Sequence, residues 1–206
     1  MTSDARDRPR LTLKGQRTRA RIVAAAARLI HQRGVAATTL DDVKAAAQVS
    51  GSQLYHYFPD KDDLVRAVIG HQADTIAGNQ RQADLGSLDG LRAWRDTIIA
   101  QAKRSNGKGG CPLGSLAGQL AETDPHARTL IAVGFQQWSA AISDSLRRLQ
   151  ASGRLRSGID ADDFAITLLA TLPGGLLLAQ VQQDSRPLET AVDTLLALTA
   201  AGADVP

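Results

Sequence analysis

The sequence predicts an all-α protein of about nine helices, and three observations carry that expectation. Alanine and leucine dominate the apolar residues, at the expense of the β-branched and aromatic types that favour strands. Apolar positions recur at three- and four-residue spacing through most of the chain. The segments so marked open on Ser, Thr or Asp and stop at Gly or Pro. At 206 residues the chain can bury a substantial core, as one large domain or as a small domain joined to a larger one.

From Lys14 to His31 the residues Ile22, Val23, Ala26, Leu29 and Ile30 share one face, and Gly34 supplies the stop. Thr39 is a natural N-cap for a second, short helix ending near Ala47, with Asp42 in the reciprocal capping position. After a tight turn at Gln48-Val49, Ser50 caps a third helix with Gln53 as its capping partner. Phe58-Pro59 closes that helix, because proline disfavours helical backbone in the residue before it. Asp60 and Asp63 open a fourth helix that continues through Leu64 to Asn79. Leu88 to Arg104 makes a fifth, with Leu91, Trp94, Ile98 and Ile99 on one side. The glycine-rich stretch "SNGKGGCPLGSLAGQL" breaks the pattern before a sixth, roughly Leu113 to Ala121. Asp124 caps and Pro125 begins a seventh that runs to about Ala151. Asp160 starts an eighth, and Arg186-Pro187 separates it from a ninth ending near Gly202.

Several classes fall away on composition. The longest oily stretch, Ala165 to Val181, is interrupted by Thr167, Thr171, Pro173, Gly174, Gly175 and Gln180, so no membrane partner is expected. The opening "MTSDARDRPRLTLKGQRTRARI" has no apolar signal core, which makes the cytoplasm the expected compartment. The single cysteine, Cys111, cannot form an intramolecular disulfide, in keeping with a reducing environment. His31, His56, His71 and His126 lack metal-ligand spacing, so no metal site is expected. The glycine-rich loop has no Gly-Lys-Ser/Thr and follows no strand, which argues against nucleotide binding. Cys111 with His71 or His126 comes with no orienting acid and no oxyanion pattern. The chain therefore reads as no enzyme, with no catalytic residues and no cofactor implied.

Charge is distributed unevenly. Residues 1–33 hold nine Lys/Arg against two Asp, whereas the remaining 173 residues hold 15 basic and 19 acidic side chains. A basic end on a mildly acidic body points to a polyanion partner for that end. Residues 1–12 read as a basic flexible arm, 13–59 as a helix-turn-helix domain, and 60–206 as a larger helical domain.

Three helices this short need a shared core, which Val43, Ala46, Val49, Leu54 and Phe58 supply against Ile22, Ala26 and Leu29. That leaves Ser52, Gln53, Tyr55, His56 and Tyr57 outward. Both tyrosines of the chain lie in "LYHYF", where they either pack between the third and fourth helices or face a partner. A helix face that is small and polar at its tip and tyrosine-bearing behind suits a DNA major groove. Ser and Gln bond base edges, aromatic rings meet thymine methyls, and tyrosine hydroxyls reach phosphate oxygens. Lys61 stands at the next helix start, where backbone amides also favour a phosphate.

Residues 14–64 resemble the N-terminal domain of the TetR/AcrR transcriptional regulators. The likeness rests on "RIVAAAARLI", Gly34, "TTLDDV", "AAAQVSGSQLYHYF", Lys61 and Leu64. It implies that Thr38 and Thr39 touch backbone phosphates, and that Ser50, Gly51, Ser52, Gln53, Tyr55 and His56 meet bases and adjoining phosphates. It further implies that Tyr57 and Lys61 grip the backbone, while Arg17 and the arginines before it follow an N-terminal arm. Three departures are visible. Gln48 stands where the family carries glycine, Gly51 where it often carries lysine or arginine, and Lys44 where alanine is frequent, which adds a phosphate contact.

Beyond residue 160 the segments "FAITLLATLPGGLLLAQVQQ" and "TAVDTLLALTA" are apolar nearly all round, so a second chain is expected to cover them. The resemblance implies the same, a homodimer through the last two helices. "GCPLGSL" looks like a segment of the LmrA/YxaF-type branch, and the likeness implies a redox or electrophile-sensing role for Cys111. On the residues alone, Cys111 is either a thiolate stabilised by the following helix start or a small side chain filling a tight helix entry. The expected ligand pocket lies among helices four to eight, lined by Trp94, Ile98, Cys111, Leu116, Phe135, Trp138 and Leu172. Together these imply a repressor that binds a near-palindromic site on double-stranded DNA and is released by a small apolar or electrophilic effector. The alternative is a regulator of the same type that takes no small ligand or acts as an activator.

Overall fold

The structure, a computed structural model, describes residues 11–83, 85–156 and 158–199, and nine α-helices occur among them. Contacts cluster into two compact units that divide after Val68, within the fourth helix; the loop at residue 59 was the boundary expected from sequence.

The first unit holds α1 (Leu13–Arg33), α2 (Leu40–Ala47), α3 (Gly51–Tyr57) and the opening turns of α4 (Lys61–Gln82). Each of the first three helices starts at a side-chain cap. The Thr12 hydroxyl accepts from the Gly15 amide, and complete capping boxes join Thr39 to Asp42 and Ser50 to Gln53. Gln48 closes α2 in the left-handed region, at φ 51° and ψ 53°, where a glycine would sit without steric cost. Ile22, Ala26, Leu29, Val43, Leu54 and Phe58 are buried as the sequence predicts. Ala46 is a correction: it is exposed, and Ala47 is buried in its place. The reason is helical geometry, since Ala47 lies one turn beyond Val43 on the same face. Arg21 Nε donates to the Ala47 carbonyl at 2.9 Å, and the Arg19 guanidinium sits 5.1 Å from the Phe58 ring centre.

Burial holds the His31 imidazole below its ordinary value of 6.5, and Nδ1 has no hydrogen-bond partner among the described residues. The unfolded chain then binds a proton at His31 before the folded one does. Stability is therefore lost as pH falls through the unfolded value near 6.5. The urea midpoint should drop between about pH 7.5 and about pH 5.5, and His31→Gln should flatten that dependence.

The second unit holds the rest of α4 with α5 (Leu88–Arg104), α6 (Pro112–Leu120), α7 (Pro125–Ala151), α8 (Ala161–Gln182) and α9 (Arg186–Thr199). Within it α8 packs on α7 and α9, α6 packs on α7, and α5 reaches α9. The α5–α9 approach is tied by Arg95, which bonds Asp193 at 2.7 Å and Glu189 at 2.9 Å. The pair Arg186-Pro187 opens α9 rather than preceding it, with the Asp184 carboxylate accepting from the Arg186 amide at 3.0 Å. The helix end expected near Gly202 lies outside the described residues.

Helix α8 continues through Pro173 and buries Phe164, Leu168, Leu172, Gly175 and Ala179. Gly175 allows the close approach of α9, because a Cβ at that position would lie 2.7 Å from the Leu188 side chain and 3.0 Å from its Cα. Ile166, Leu177, Leu178 and Val181 on the other flank stay exposed, as does Leu198 of α9. With 22 residues and a mean hydropathy of 1.8 over an 18-residue window, α8 is long and apolar enough to cross a bilayer by length and composition, which the broken sequence pattern did not suggest. Its acidic first turn bonds α7 instead: Asp162 accepts from Ser143 and from Arg147.

Candidate nucleic-acid interface and ligand cavity

Leu54 and Phe58, one turn apart, anchor α3 to the core of the first unit, and this sets what the helix shows to solvent. Ser52, Gln53, Tyr55 and His56 are exposed, and Tyr55 is 56% accessible, so the packing alternative for Tyr55 does not hold. Tyr57 is half-buried, edge-on to His56 with ring centres 4.9 Å apart. Its hydroxyl lies so near Gly15 that a Cβ there would be 3.3 Å away. At the helix tip, the Ser50 and Ser52 hydroxyls are 3.0 Å apart. The Gln53 carbonyl oxygen accepts from the Ser50 amide, also at 3.0 Å, which leaves the Gln53 amide N–H groups to face outward. Gly51 is half-buried, yet a Cβ there would have nothing within 4 Å, so a partner's backbone can approach closely.

Around this tip, Thr39 is exposed and serves as a cap, while Lys61 is half-buried with Nζ 3.4 Å from the Ala36 carbonyl. Arg17 is exposed on α1, and the arginines before residue 11 lie outside the described residues. Lys44 is half-buried and held by Asp41, which raises its pKa through that hydrogen bond and charge. Thr38 is a correction: it is only 2% exposed, and its hydroxyl donates to the Gly34 carbonyl at 2.8 Å. That side chain is spent on the α1–α2 turn, whereas the exposed Thr39 hydroxyl donates to the Asp42 carboxylate and accepts from the Asp42 amide within the α2 capping box.

The second unit holds a partly open cavity of about 580 Å³. Ile76, Asn79 and Gln80 of α4, Trp94, Thr97 and Ile98 of α5, Trp138 of α7, and Leu172 and Leu176 of α8 line it. The loop before α6 contributes Lys108, Gly110 and Cys111. The structure thus brings together Trp94, Ile98, Cys111, Trp138 and Leu172 from the set expected by sequence. Leu116 and Phe135 are not in the lining: Leu116 is buried elsewhere, and Phe135 stacks on Trp138 at 6.4 Å between ring centres. Gln80 was missed, although Ala73, Ala77 and Gln80 form one buried stripe on α4, in which a glutamine is conspicuous.

Cys111 caps α6, its Sγ accepting from the Gly114 amide at 3.3 Å. Burial pushes the thiol up, outweighing the backbone donors that favour the thiolate. The reading of Cys111 as a small residue in a tight helix entry fits this environment, and a dipole-stabilised thiolate does not. The loop is also seated against α8. Gly107 has φ 72°, and a Cβ there would fall 2.2 Å from the Ala179 carbonyl oxygen. Among the described residues no cluster of His, Cys, Asp and Glu side chains could hold a metal ion.

A capped, outward-facing helix after a tight turn, with a separate helical unit around an apolar cavity, defines a helix-turn-helix DNA-binding regulator. Residues 22–68 match the model of bacterial regulatory proteins of the tetR family, and residues 87–195 match the tetracyclin repressor-like C-terminal domain. The chain belongs to the TetR family of transcriptional regulators, which are not enzymes. It is 29% identical over 178 residues to the uncharacterized HTH-type transcriptional regulator Rv0196 of Mycobacterium tuberculosis, covering 84% of this chain and 90% of that one. It is 24% identical to the HTH-type transcriptional regulator LmrA of Bacillus subtilis, over 83% of this chain and 90% of the relative. A TetR transcriptional regulator from Chloroflexus aurantiacus superposes with a TM-score of 0.73 at 29% identity, covering 90% of this chain and 96% of that one.

Proposed function

We propose that the protein is a cytoplasmic transcriptional repressor that binds a near-palindromic operator as a homodimer and is released by a small apolar effector. The observation that carries this reading is the division of labour on α3. Leu54 and Phe58 are sealed in the core, while Ser52, Gln53, Tyr55 and His56 are left free to meet a groove. One such helix per subunit would enter successive major grooves, with Thr39, Tyr57, Lys61 and Arg17 on the flanking phosphates. The exposed apolar flanks of α8 and α9 supply the surface through which two copies associate. The effector site is the cavity of the second unit, of a volume usual for small-molecule pockets. Repression is relieved to the extent that the effector prefers the dimer whose recognition helices are wrongly spaced. The raised Cys111 thiol supports an effector held without a covalent bond.

A salt titration of binding to the DNA upstream of its own gene tests the reading. Affinity should fall roughly a thousandfold or more between about 50 and 200 mM salt if six or more phosphates are neutralised. Unrelated DNA of equal length should bind far more weakly at every salt concentration. Equal affinity for both DNAs would overturn specific operator recognition.

A further inference from the structure

Gln80 is 4% exposed and stands in the cavity wall. Its Oε1 accepts from the Trp138 indole Nε1–H at 3.2 Å. An indole nitrogen only donates, so turning the amide over would set two donors against each other. Trp138 therefore fixes which end of the amide is which, and Nε2 is left with no hydrogen-bond partner among the described residues. A buried amide donor of this kind calls for an acceptor. The same wall carries two buried indoles, Trp94 and Trp138, which offer flat apolar surface. Among the described residues Lys108 is the one ionised side chain in the lining, and it is exposed. A carboxylate drawn into the cavity would find no buried cation among the described residues to pair with.

We infer that the cavity takes an uncharged aromatic molecule bearing an acceptor oxygen, and that Gln80, oriented by Trp138, donates its Nε2–H to that oxygen. The inference rests on the cavity being the effector site and narrows the class of effector. Size and apolarity alone would admit any hydrocarbon. The oriented donor sets a carbonyl-bearing ligand above its hydrocarbon counterpart, and the lack of a buried cation sets an acid below both.

Three nearly isosteric probes separate these cases: methyl naphthyl ketone, ethylnaphthalene and naphthoate, each titrated into the full-length protein by calorimetry. Both tryptophans of the chain line the cavity, so quenching of intrinsic fluorescence reports whether the probe is bound there. The ketone is expected to bind about tenfold more tightly than ethylnaphthalene, with naphthoate weakest. Gln80→Met keeps the volume and removes the donor, so it should erase the ketone's advantage while ethylnaphthalene holds or gains affinity. Should that variant fold poorly by circular dichroism, Trp138→Phe removes the anchor of the amide and should shrink the same advantage. Equal binding of ketone and hydrocarbon to the unaltered protein overturns the inference and leaves the cavity as an effector site. An advantage that survives both substitutions does the same. If none of the three probes binds, the reading of the cavity itself fails, and the inference with it.

Discussion

Replacing both Tyr55 and Lys61 with alanine should lower affinity for the upstream DNA by about a hundredfold or more while leaving the fold intact. Tyr55 is more than half exposed and Lys61 makes only a long contact to the Ala36 carbonyl, so neither removal opens a core cavity. In a symmetric dimer every lost contact is lost twice. At about 1 kcal/mol for each of four contacts, the arithmetic gives roughly 4 kcal/mol, and the hundredfold figure allows for partial replacement by water. The salt dependence should also become shallower by about two in log–log slope, since one lysine charge per subunit disappears. Tyr57 is the informative control. It is half-buried with its hydroxyl beside Gly15, so Tyr57→Ala should lower the melting temperature as well as DNA affinity. Mobility shift and thermal unfolding on the same preparations distinguish the two behaviours. Affinity kept within threefold in the double variant, with an unchanged slope, would remove α3 from the DNA interface.

How much of this was legible beforehand depended on the range of the interaction. The capping boxes at Thr39–Asp42 and Ser50–Gln53 are bonds between residues three apart, so the sequence displays both partners together. The same holds for the Asp124 and Asp160 caps that open α7 and α8. Burial that depends on another helix was less visible. Thr38 and Thr39 are chemically alike, yet the turn after α1 draws Thr38 inward onto the Gly34 carbonyl and leaves Thr39 out. In the cavity, apolarity announced that Trp94, Trp138, Leu116 and Phe135 would be largely covered, but not which of them would share a wall. The Gln80–Trp138 bond spans 58 residues, and the Arg95–Asp193 bond 98. Nothing local in the chain pairs such partners. A glutamine in an otherwise small apolar stripe was the available sign, and it says only that the amide needs a partner inside.

Substituting Leu177 and Val181 together with glutamate should convert the protein to a monomer. Ile166, Ala170, Gly174, Leu177 and Val181 recur every three or four residues along α8, and all five are exposed. Leu177 is 59% and Val181 74% accessible, an arrangement that costs apolar hydration in a lone chain. Gly174 has nothing within 4 Å of a Cβ position, which lets a second helix come close at the middle of the stripe. An interface of this kind is isologous, so each substitution acts in both copies. Burying such side chains is worth about 1.5 kcal/mol or more each, and four of them sum to roughly 6 kcal/mol before the added cost of desolvating glutamates. The dimer dissociation constant should therefore rise by at least about a thousandfold, readily seen by sedimentation velocity. Because both positions are exposed in the single chain, far-ultraviolet circular dichroism should not change. Operator affinity should fall in parallel, since a monomer carries one recognition helix and forfeits the second half-site. A variant that sediments as a dimer with unaltered affinity would show that this stripe is covered by something other than its own copy.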